Sequence, residues 1–433
     1  MKRDIYRQLS EWKISKYRKP LVLKGARQTG KTFILKEFAK EYSDSVYINF
    51  EETPSAKLVF ADSLSPAVII ENLEIQLNVS IHHLNTLIIL DEIQECPNAL
   101  NSLKYFSESA NEYHIVSAGS LLGVKIKKRK ISFPVGKVNF LEMKPLSFFE
   151  FLDALNESRL RQKIEQVNSF EPLNEALHQK AVSLLKKYYF IGGMPEAVKI
   201  FANENNYDLV REVHKSILDA YALDFSKYAS PSEVMKIMHI WDSIPAQLAK
   251  ENKKFMFQVV SKSARNRDYE SSIQWLVDAG LINKVYNISK PGLPLESYAD
   301  KSVFKIYMLD TGLLCYMSRL PVQVLLQPNQ LFVEFKGALT ENYAIQELMA
   351  NKFDRVYYWT STGTAEVDIV VQNEMKIYPI EVKAGLFKRK KSLLVYGDKY
   401  NPHVLSRTTL MNLKRDGNIC NYPLYMIGVF PIA

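Results

Sequence analysis

Cysteine is scarce in this chain. Cys96, Cys315 and Cys420 are the three among 433 residues, widely separated and without metal-ligand spacing. That excludes a disulfide-stapled scaffold and a zinc ribbon, and it predicts reduced thiols in a cytoplasmic setting. No apolar run approaches the ~20 residues of a membrane span, so no membrane partner is expected. The charged start, Met1-Lys-Arg-Asp-Ile-Tyr-Arg7, lacks the apolar core of a signal peptide. Low-complexity tracts are missing too, as is any internal repeat with a period of roughly 20–50 residues. What is present is 47% hydrophobic and 24% charged, the balance of a globular protein. The length allows two or three domains with substantial cores. A net charge of +9 and a pI of about 9.0 favour polyanionic partners, nucleic acid first. Two clusters concentrate the charge, Lys125-Ile-Lys-Lys-Arg-Lys130 and Lys388-Arg-Lys-Lys391.

The chain is organised around Gly25-Ala26-Arg27-Gln28-Thr29-Gly30-Lys31-Thr32, between the apolar run Pro20–Lys24 and the helical pattern Phe33–Tyr42. Strand, Gly-bearing loop and helix here carry G-x-x-x-x-G-K-[ST] in the context that pattern requires. Backbone N–H groups of residues 25–32 at a helix N-terminus cradle phosphate, helped by the positive end of the helix dipole. Lys31 reaches the terminal phosphates, and the Thr32 hydroxyl is a ligand for Mg²⁺. The expected cofactors are ATP and Mg²⁺.

Downstream, Thr86-Leu-Ile-Ile-Leu-Asp91-Glu92 is a buried-type strand ending in two acids, the Walker B arrangement. Ligands of an open parallel sheet gather at the carboxyl ends of its strands, which brings Asp91 beside the phosphate loop. Asp91 is the candidate metal holder and Glu92 the candidate base for the attacking water. Tyr113–Ser120 reads as the next strand, and either Ser117 or Ser120 is placed to bond the γ-phosphate or that water. A fifth strand is expected over Lys137–Met143, and Ser147-Phe-Phe-Glu150 has capping-box form for a helix through Leu155. At the N-terminus a helix is expected over residues 1–18, packed through Ile5, Leu9, Trp12 and Ile14.

Together with Ala118-Gly-Ser120 and Pro145-Leu-Ser-Phe-Phe-Glu-Phe151, these motifs resemble a family of bacterial and archaeal AAA-type ATPases fused to a C-terminal restriction-endonuclease-like domain. Gly192-Gly-Met-Pro-Glu-Ala197 and Leu309-Asp-Thr-Gly-Leu-Leu314 resemble further signatures of that family. The resemblance implies an α/β fold: an AAA-type P-loop core over 1–150 with a parallel sheet, then a helical lid over 151–230. Helices followed by a β-hairpin read as a winged-helix-like segment over 231–325, and the resemblance implies a PD-(D/E)xK nuclease-like domain over 326–433. One departure stands out. Gly136-Lys137 replaces the family's usual Gly-Arg, which keeps the charge but loses the bidentate fork.

Within 151–230, Leu184, Leu185, Tyr188 and Tyr189 read as buried, and Asp219 and Asp224 as surface acids. Pro231-Ser-Glu-Val starts a helix. Two helical patterns, Val234–Leu248 and Tyr269–Ala279, then lead to the strand-like Leu281–Tyr286, with Lys262, Arg265 and Arg267 suited to phosphate contacts. From Phe335 a helix containing Glu341 precedes the strands Val356–Trp359, Glu366–Val371 and Lys376–Lys383, and Tyr425–Phe430 is expected as a last strand. A tight turn near 373–375 puts Asp368 nearly opposite Glu381, and Glu381 shares a face with Lys383. Two carboxylates and a lysine on one patch suit metal-assisted phosphodiester hydrolysis: Asp368 and Glu381 as Mg²⁺ ligands, Lys383 orienting water or stabilising charge. Glu341 matches the additional acid that the resembling folds carry on that helix.

Two function classes remain. In one, nucleotide state controls a DNA-engaging, DNA-cleaving C-terminal half. In the other, the chain is an ATP-dependent switch or scaffold for a protein partner, and the nuclease-like fold is inert. A P-loop kinase fits less well, because Glu92 after Asp91 suits water activation. Oligomerisation is compatible with both classes, and no arginine finger can be singled out.

Overall fold

The computed structural model describes residues 1–124, 133–250, 254–262, 265–326, 333–385 and 391–432. The chain divides into two compact units, Lys2–Lys144 with Asp278–Gly280, and Pro145–Val277 with Leu281–Ala433. Both basic clusters, 125–130 and 388–391, lie outside the described residues, apart from Lys391.

In the first unit, α1 (Ile5–Ile14) and β1 (Leu21–Lys24) lead through the phosphate loop to α2 (Lys31–Ala39), followed by β2 (Asp44–Asn49), α3 (Pro66–Leu77), β3 (Thr86–Asp91), α4 (Pro97–Ser109), β4 (His114–Gly119) and β5 (Asn139–Glu142). The five strands are all parallel, in the order β2-β3-β4-β1-β5. β3 and β4 are buried along their whole length, so successive residues must find cover on opposite faces. Ile88 and Leu90 pack with Ile69, Leu73, Leu100 and Leu103 from α3 and α4. Leu87 and Ile89 pack with Leu9, Ile34, Leu35 and Phe38 from α1 and α2. Each such side chain contributes roughly 1.5–3 kcal/mol of burial. α1 keeps Ile5, Leu9 and Trp12 inside, while Ile14 is 80% exposed, against expectation. Two residues past Trp12 is about 200° round the helix, off the buried stripe.

The second unit opens with helices: α5 (Phe148–Ala154), α6 (Ser158–Glu165), α7 (Glu175–Ile191), α8 (Pro195–Glu204), α9 (Tyr207–Tyr228), α10 (Pro231–Leu248), α11 (Phe257–Val260) and α12 (Asn266–Asp278). The expected capping box forms reciprocally, Ser147 with Glu150, and a second one, not foreseen, starts α10, Ser230 with Glu233. Next come β6 (Ile282–Ile288), β7 (Ala299–Met308), α13 (Thr311–Met317), α14 (Val322–Leu326), α15 (Val333–Asn351), β8 (Tyr357–Thr360), β9 (Glu366–Asn373) and β10 (Lys376–Val382). The chain closes with α16 (Lys391–Tyr400), β11 (Leu405–Thr409), β12 (Lys414–Asp416) and β13 (Ile419–Pro423). All eight of these strands form one mixed sheet, in the order β12-β13-β11-β10-β9-β8-β6-β7.

That sheet draws strands from both sides of the expected boundary near residue 326. The β6–β7 hairpin, read as the wing of a separate 231–325 segment, pairs through β6 in parallel with β8, at Tyr286 against Tyr357. The segment 151–230, expected as a lid on the ATPase core, belongs to the same compact unit as this sheet. Asp224 is buried rather than exposed, because it falls on the α9 face that carries Tyr221, Phe225 and Tyr228; Asp219 is exposed. The expected strand at 425–430 is a 3-10 helix over Leu424–Val429, in which four consecutive residues, Leu424 to Ile427, are buried. A half-covered strand would alternate instead.

The two late signatures interlock. Asp310 accepts from Gly193 N–H at 2.6 Å and from Leu313 N–H at 3.0 Å, capping α13. A Cβ on Gly192 would collide with the Asp310 carboxylate, one on Gly193 with the Leu146 carbonyl, and one on Gly312 with the Ile191 carbonyl. In this structure those motifs serve close packing.

Candidate functional site

The apolar β1 ends at Lys24, and the loop after it must turn sharply into α2. Gly25, Gln28 and Gly30 all take positive φ, and a Cβ at Gly25 would collide with the Met143 carbonyl. Thr29 Oγ1 donates to the Ala26 carbonyl at 2.9 Å, and Arg3 donates to the Thr29 carbonyl at 3.0 Å, tying the loop from below. Lys31 opens α2, and its Nζ donates to the carbonyls of Gly25 and Ala26 at 3.0 and 2.7 Å. Burial pulls the Lys31 ammonium down to about 8, against the opposing pull of Glu92 and Asp91.

β1 and β3 flank β4, so their carboxyl ends open on one edge of the sheet. Thr32 Oγ1 accordingly donates to Asp91 Oδ2 at 2.6 Å, and Tyr47 OH donates to the same oxygen at 2.9 Å. Glu92 takes a left-handed backbone conformation. Its Oε2 accepts from Ser120 Oγ at 3.1 Å and from the Gln94 amide. Arg27 Nε donates to Ser120 Oγ at 3.3 Å. Of the two candidate serines, Ser120 therefore joins this network, whereas Ser117 bonds the Leu21 carbonyl on the neighbouring strand. Lys137 forms an ion pair with Glu108 at 2.8 Å. Sequence reasoning missed Arg3, Tyr47 and Gln94. Only Gln94 carried a signal, a polar residue two positions after Glu92. The donor set of a hydroxyl and a carboxylate oxygen already in contact fits Mg²⁺, a hard cation that takes one or two protein oxygens and completes its shell with phosphate and water.

The second constellation forms in the eight-stranded sheet. β9 and β10 pair with Ile369 opposite Ile380, which sets Asp368 opposite Glu381. Asp368 Oδ2 accepts from Val382 N–H at 2.8 Å. Lys383 Nζ lies 3.3 Å from Glu381 Oε1 and 3.9 Å from Asp368 Oδ2. Glu341, on α15, accepts from Tyr307 OH at 3.1 Å. Unforeseen from the sequence, Lys305 on β7 is fully buried and ion-paired with Glu366. Its one signal was a lone charge in the apolar strand Val303-Phe-Lys-Ile-Tyr-Met308. Burial opposes the charge on Lys305, but Glu341, Glu366 and Asp368 together hold its pKa above the usual lysine value. Lys383 is likewise held up against burial by Asp368, Glu381 and Glu341.

Glu381 Oε2 is buried with no hydrogen-bond partner, the kind of orphan that a cation relieves. Glu341, Glu366, Asp368 and Glu381 are the acids that keep Lys305 and Lys383 charged here. Among the described residues, however, no three His, Cys, Asp or Glu side chains are grouped to hold a metal by themselves. Lys262, Arg265 and Arg267 are exposed. No helix among the described residues is long and apolar enough to cross a membrane.

Three family models match parts of the chain. Residues 17–152 match one described as AAA domain. Residues 182–323 match Domain of unknown function (DUF8612), and residues 336–426 match Domain of unknown function (DUF4143). No curated protein matches. Solved structures with some likeness include the Walker-type ATPase of Pyrococcus abyssi, at 13% identity and TM-score 0.44, covering 72% of this chain and 94% of that one. The ORC2 protein of Aeropyrum pernix, with ADPNP and ADP, shows 14% identity and TM-score 0.39, covering 74% and 90%. The ORC1 protein of Aeropyrum pernix in complex with DNA shows 13% identity and TM-score 0.32, covering 74% and 93%. Likenesses of this size place no limit on what this chain binds.

Proposed function

We propose that the AAA-type ATPase module matched over residues 17–152 hydrolyses ATP with Mg²⁺, and that its nucleotide state governs a DNA-cleaving site in the C-terminal unit. The Thr32–Asp91 contact carries the first half of this reading, and the unpartnered Glu381 oxygen carries the second. Lys31 would release the loop carbonyls to take the terminal phosphates. Thr32 and Asp91 would hold the metal, while Glu92, oriented by Ser120 and Gln94, accepts the proton of the attacking water. In the C-terminal unit, Asp368 and Glu381 would hold Mg²⁺, with the scissile phosphate completing its shell. That division suits a site with two acids in place of three. Lys383 would orient the water or stabilise the charge that develops on the phosphate. Bound Mg²⁺ would supply charge neutralisation at the phosphates in both sites.

A second reading, an ATP-dependent switch or scaffold with an inert nuclease-like fold, draws support from Lys305. Its buried ammonium gives the acids a cation of the protein's own. Plasmid incubated with Mg²⁺ or Mn²⁺, with and without ATP, separates the two readings. Nicking by wild type that disappears in Lys383→Ala supports cleavage. Nicking that survives in the variant, or is absent from both proteins, leaves the switch.

A further inference from the structure

Within the second unit, a cavity of about 690 Å³ opens among α9, α10, α13 and the stretch after α13. That is the size of a small-molecule pocket. Much of its wall is apolar, including Leu218, Met238, Trp241 and Tyr316, and Arg211 is part of the lining. The Arg211 guanidinium carbon sits 3.9 Å from the Phe190 ring centroid and 5.5 Å from that of Tyr316. Nη2 donates to the Leu320 carbonyl, while Nη1 is buried with no hydrogen-bond partner. Burial pulls the Arg211 pKa down, and the neighbours that oppose this are Cys315 and Tyr316, with no carboxylate among them. A guanidinium does not give up its proton at physiological pH. A desolvated N–H left without an acceptor therefore costs free energy that an anion would recover by settling against the guanidinium from the cavity side, with a small shift of the side chain to meet it.

The opposite charge also lines this cavity. Asp219 and Asp242 belong to its wall, and both are exposed. Arg319, exposed as well, is also part of the wall, so its two arginines and two aspartates balance and a second anionic group on the ligand would trade water for apolar side chains.

We propose that the cavity binds a small apolar monocarboxylic acid, its carboxylate on Arg211 Nη1 and its body along Trp241, Met238 and Tyr316. If Arg211 only braces the Leu320 carbonyl and stacks on Phe190, a carboxylate gains nothing over a neutral group of the same shape. The test titrates the full chain with phenylbutyrate and with phenylbutanol by calorimetry, alongside the tryptophan emission to which Trp241 contributes. The expected result is an acid that binds about tenfold more tightly than the alcohol, one charge-assisted hydrogen bond's worth, with adipate weaker than phenylbutyrate. Arg211→Met should bring the acid down to the alcohol's affinity and leave the alcohol unchanged. Ala222→Phe, which narrows the cavity without touching the guanidinium, should weaken both. Equal affinities for acid and alcohol in the wild type, no saturable binding of either, or an acid preference that persists in Arg211→Met would each overturn the assignment. Should Arg211→Met fail to fold, the wild-type acid–alcohol ratio and Ala222→Phe decide it.

Discussion

Thr32 Oγ1 and Asp91 Oδ2 are hydrogen-bonded at 2.6 Å across a sequence separation of 59 residues. The two halves of the nucleotide site are thus already assembled by the sheet, through strands β1 and β3 on either side of β4. Little rearrangement is then needed to receive a hydrated metal, which is what preorganised electrostatic catalysis requires.

Removing either partner should separate chemistry from binding. Thr32→Ala and Asp91→Asn are expected to lower Mg²⁺-dependent phosphate release from ATP by roughly a hundredfold or more, while nucleotide still binds. Lys31→Ala should lose the binding itself. Single-turnover phosphate release and a fluorescent-nucleotide titration read the two effects. Full turnover in Asp91→Asn would remove Asp91 from the site.

Lys305 makes a different prediction, about stability. With its ammonium gone, the half-buried Glu366 loses its ion-pair partner, and Lys383 is left as the nearby cation for the buried Asp368. Lys305→Met should therefore cost about 3 kcal/mol in urea denaturation, the low end for breaking a buried pair from one side, because Glu366 keeps part of its water. If Asp368 and Glu381 hold a divalent ion, Mn²⁺ should restore part of that loss. A loss indifferent to Mn²⁺ would favour the inert reading.

Glu347, on α15, accepts from Phe148 N–H at 2.8 Å, and burial pushes its carboxyl up to about 8, with Glu150 adding to the effect. An acid whose folded pKa is raised binds its proton in the native state after the unfolded chain has released it. Its contribution is complete below the ordinary carboxylate pKa and is lost as pH rises toward 8. Glu347→Gln should flatten that decline and gain at least about 1 kcal/mol over wild type at alkaline pH, the worth of one pKa unit or less. Parallel stability profiles for the two proteins would refute this.

Two glycines should respond in opposite directions. Gly193→Ala drives a methyl into the Leu146 carbonyl and should destabilise by several kcal/mol, on the order of a core steric clash. A methyl added at Gly337, inside α15, would have nothing within 4 Å of it. Gly337→Ala should therefore stabilise by about 0.5–1 kcal/mol, the helix-interior advantage of alanine over glycine. Thermal melts of the pair check both signs.

Sequence alone made the nucleotide site legible because local order encodes it. Residues 25–32 lie on one loop, and the run into Asp91 announces a buried strand. The Asp368–Glu381 pairing was equally readable, since a short hairpin fixes its own register. Lys305 was not readable, because its partners sit on β9 and α15, brought near only by the finished sheet. The same non-local pairing hid the fate of β6 and β7. A hairpin after two helices carries no local mark that distinguishes a free wing from two strands of a larger sheet. Asp224 was misread for a simpler reason: its chemistry suggests the surface, but its helical phase with Tyr221 and Tyr228 places it inside.

Because β6 supplies the ladder against β8, a C-terminal piece that keeps this ladder begins no later than residue 282. Shorter fragments starting in the 330s would leave the Tyr357–Trp359 backbone without its neighbour. Such a fragment presents a raw sheet edge to every other copy in solution, and its insolubility would say nothing about the chemistry of Asp368 and Glu381.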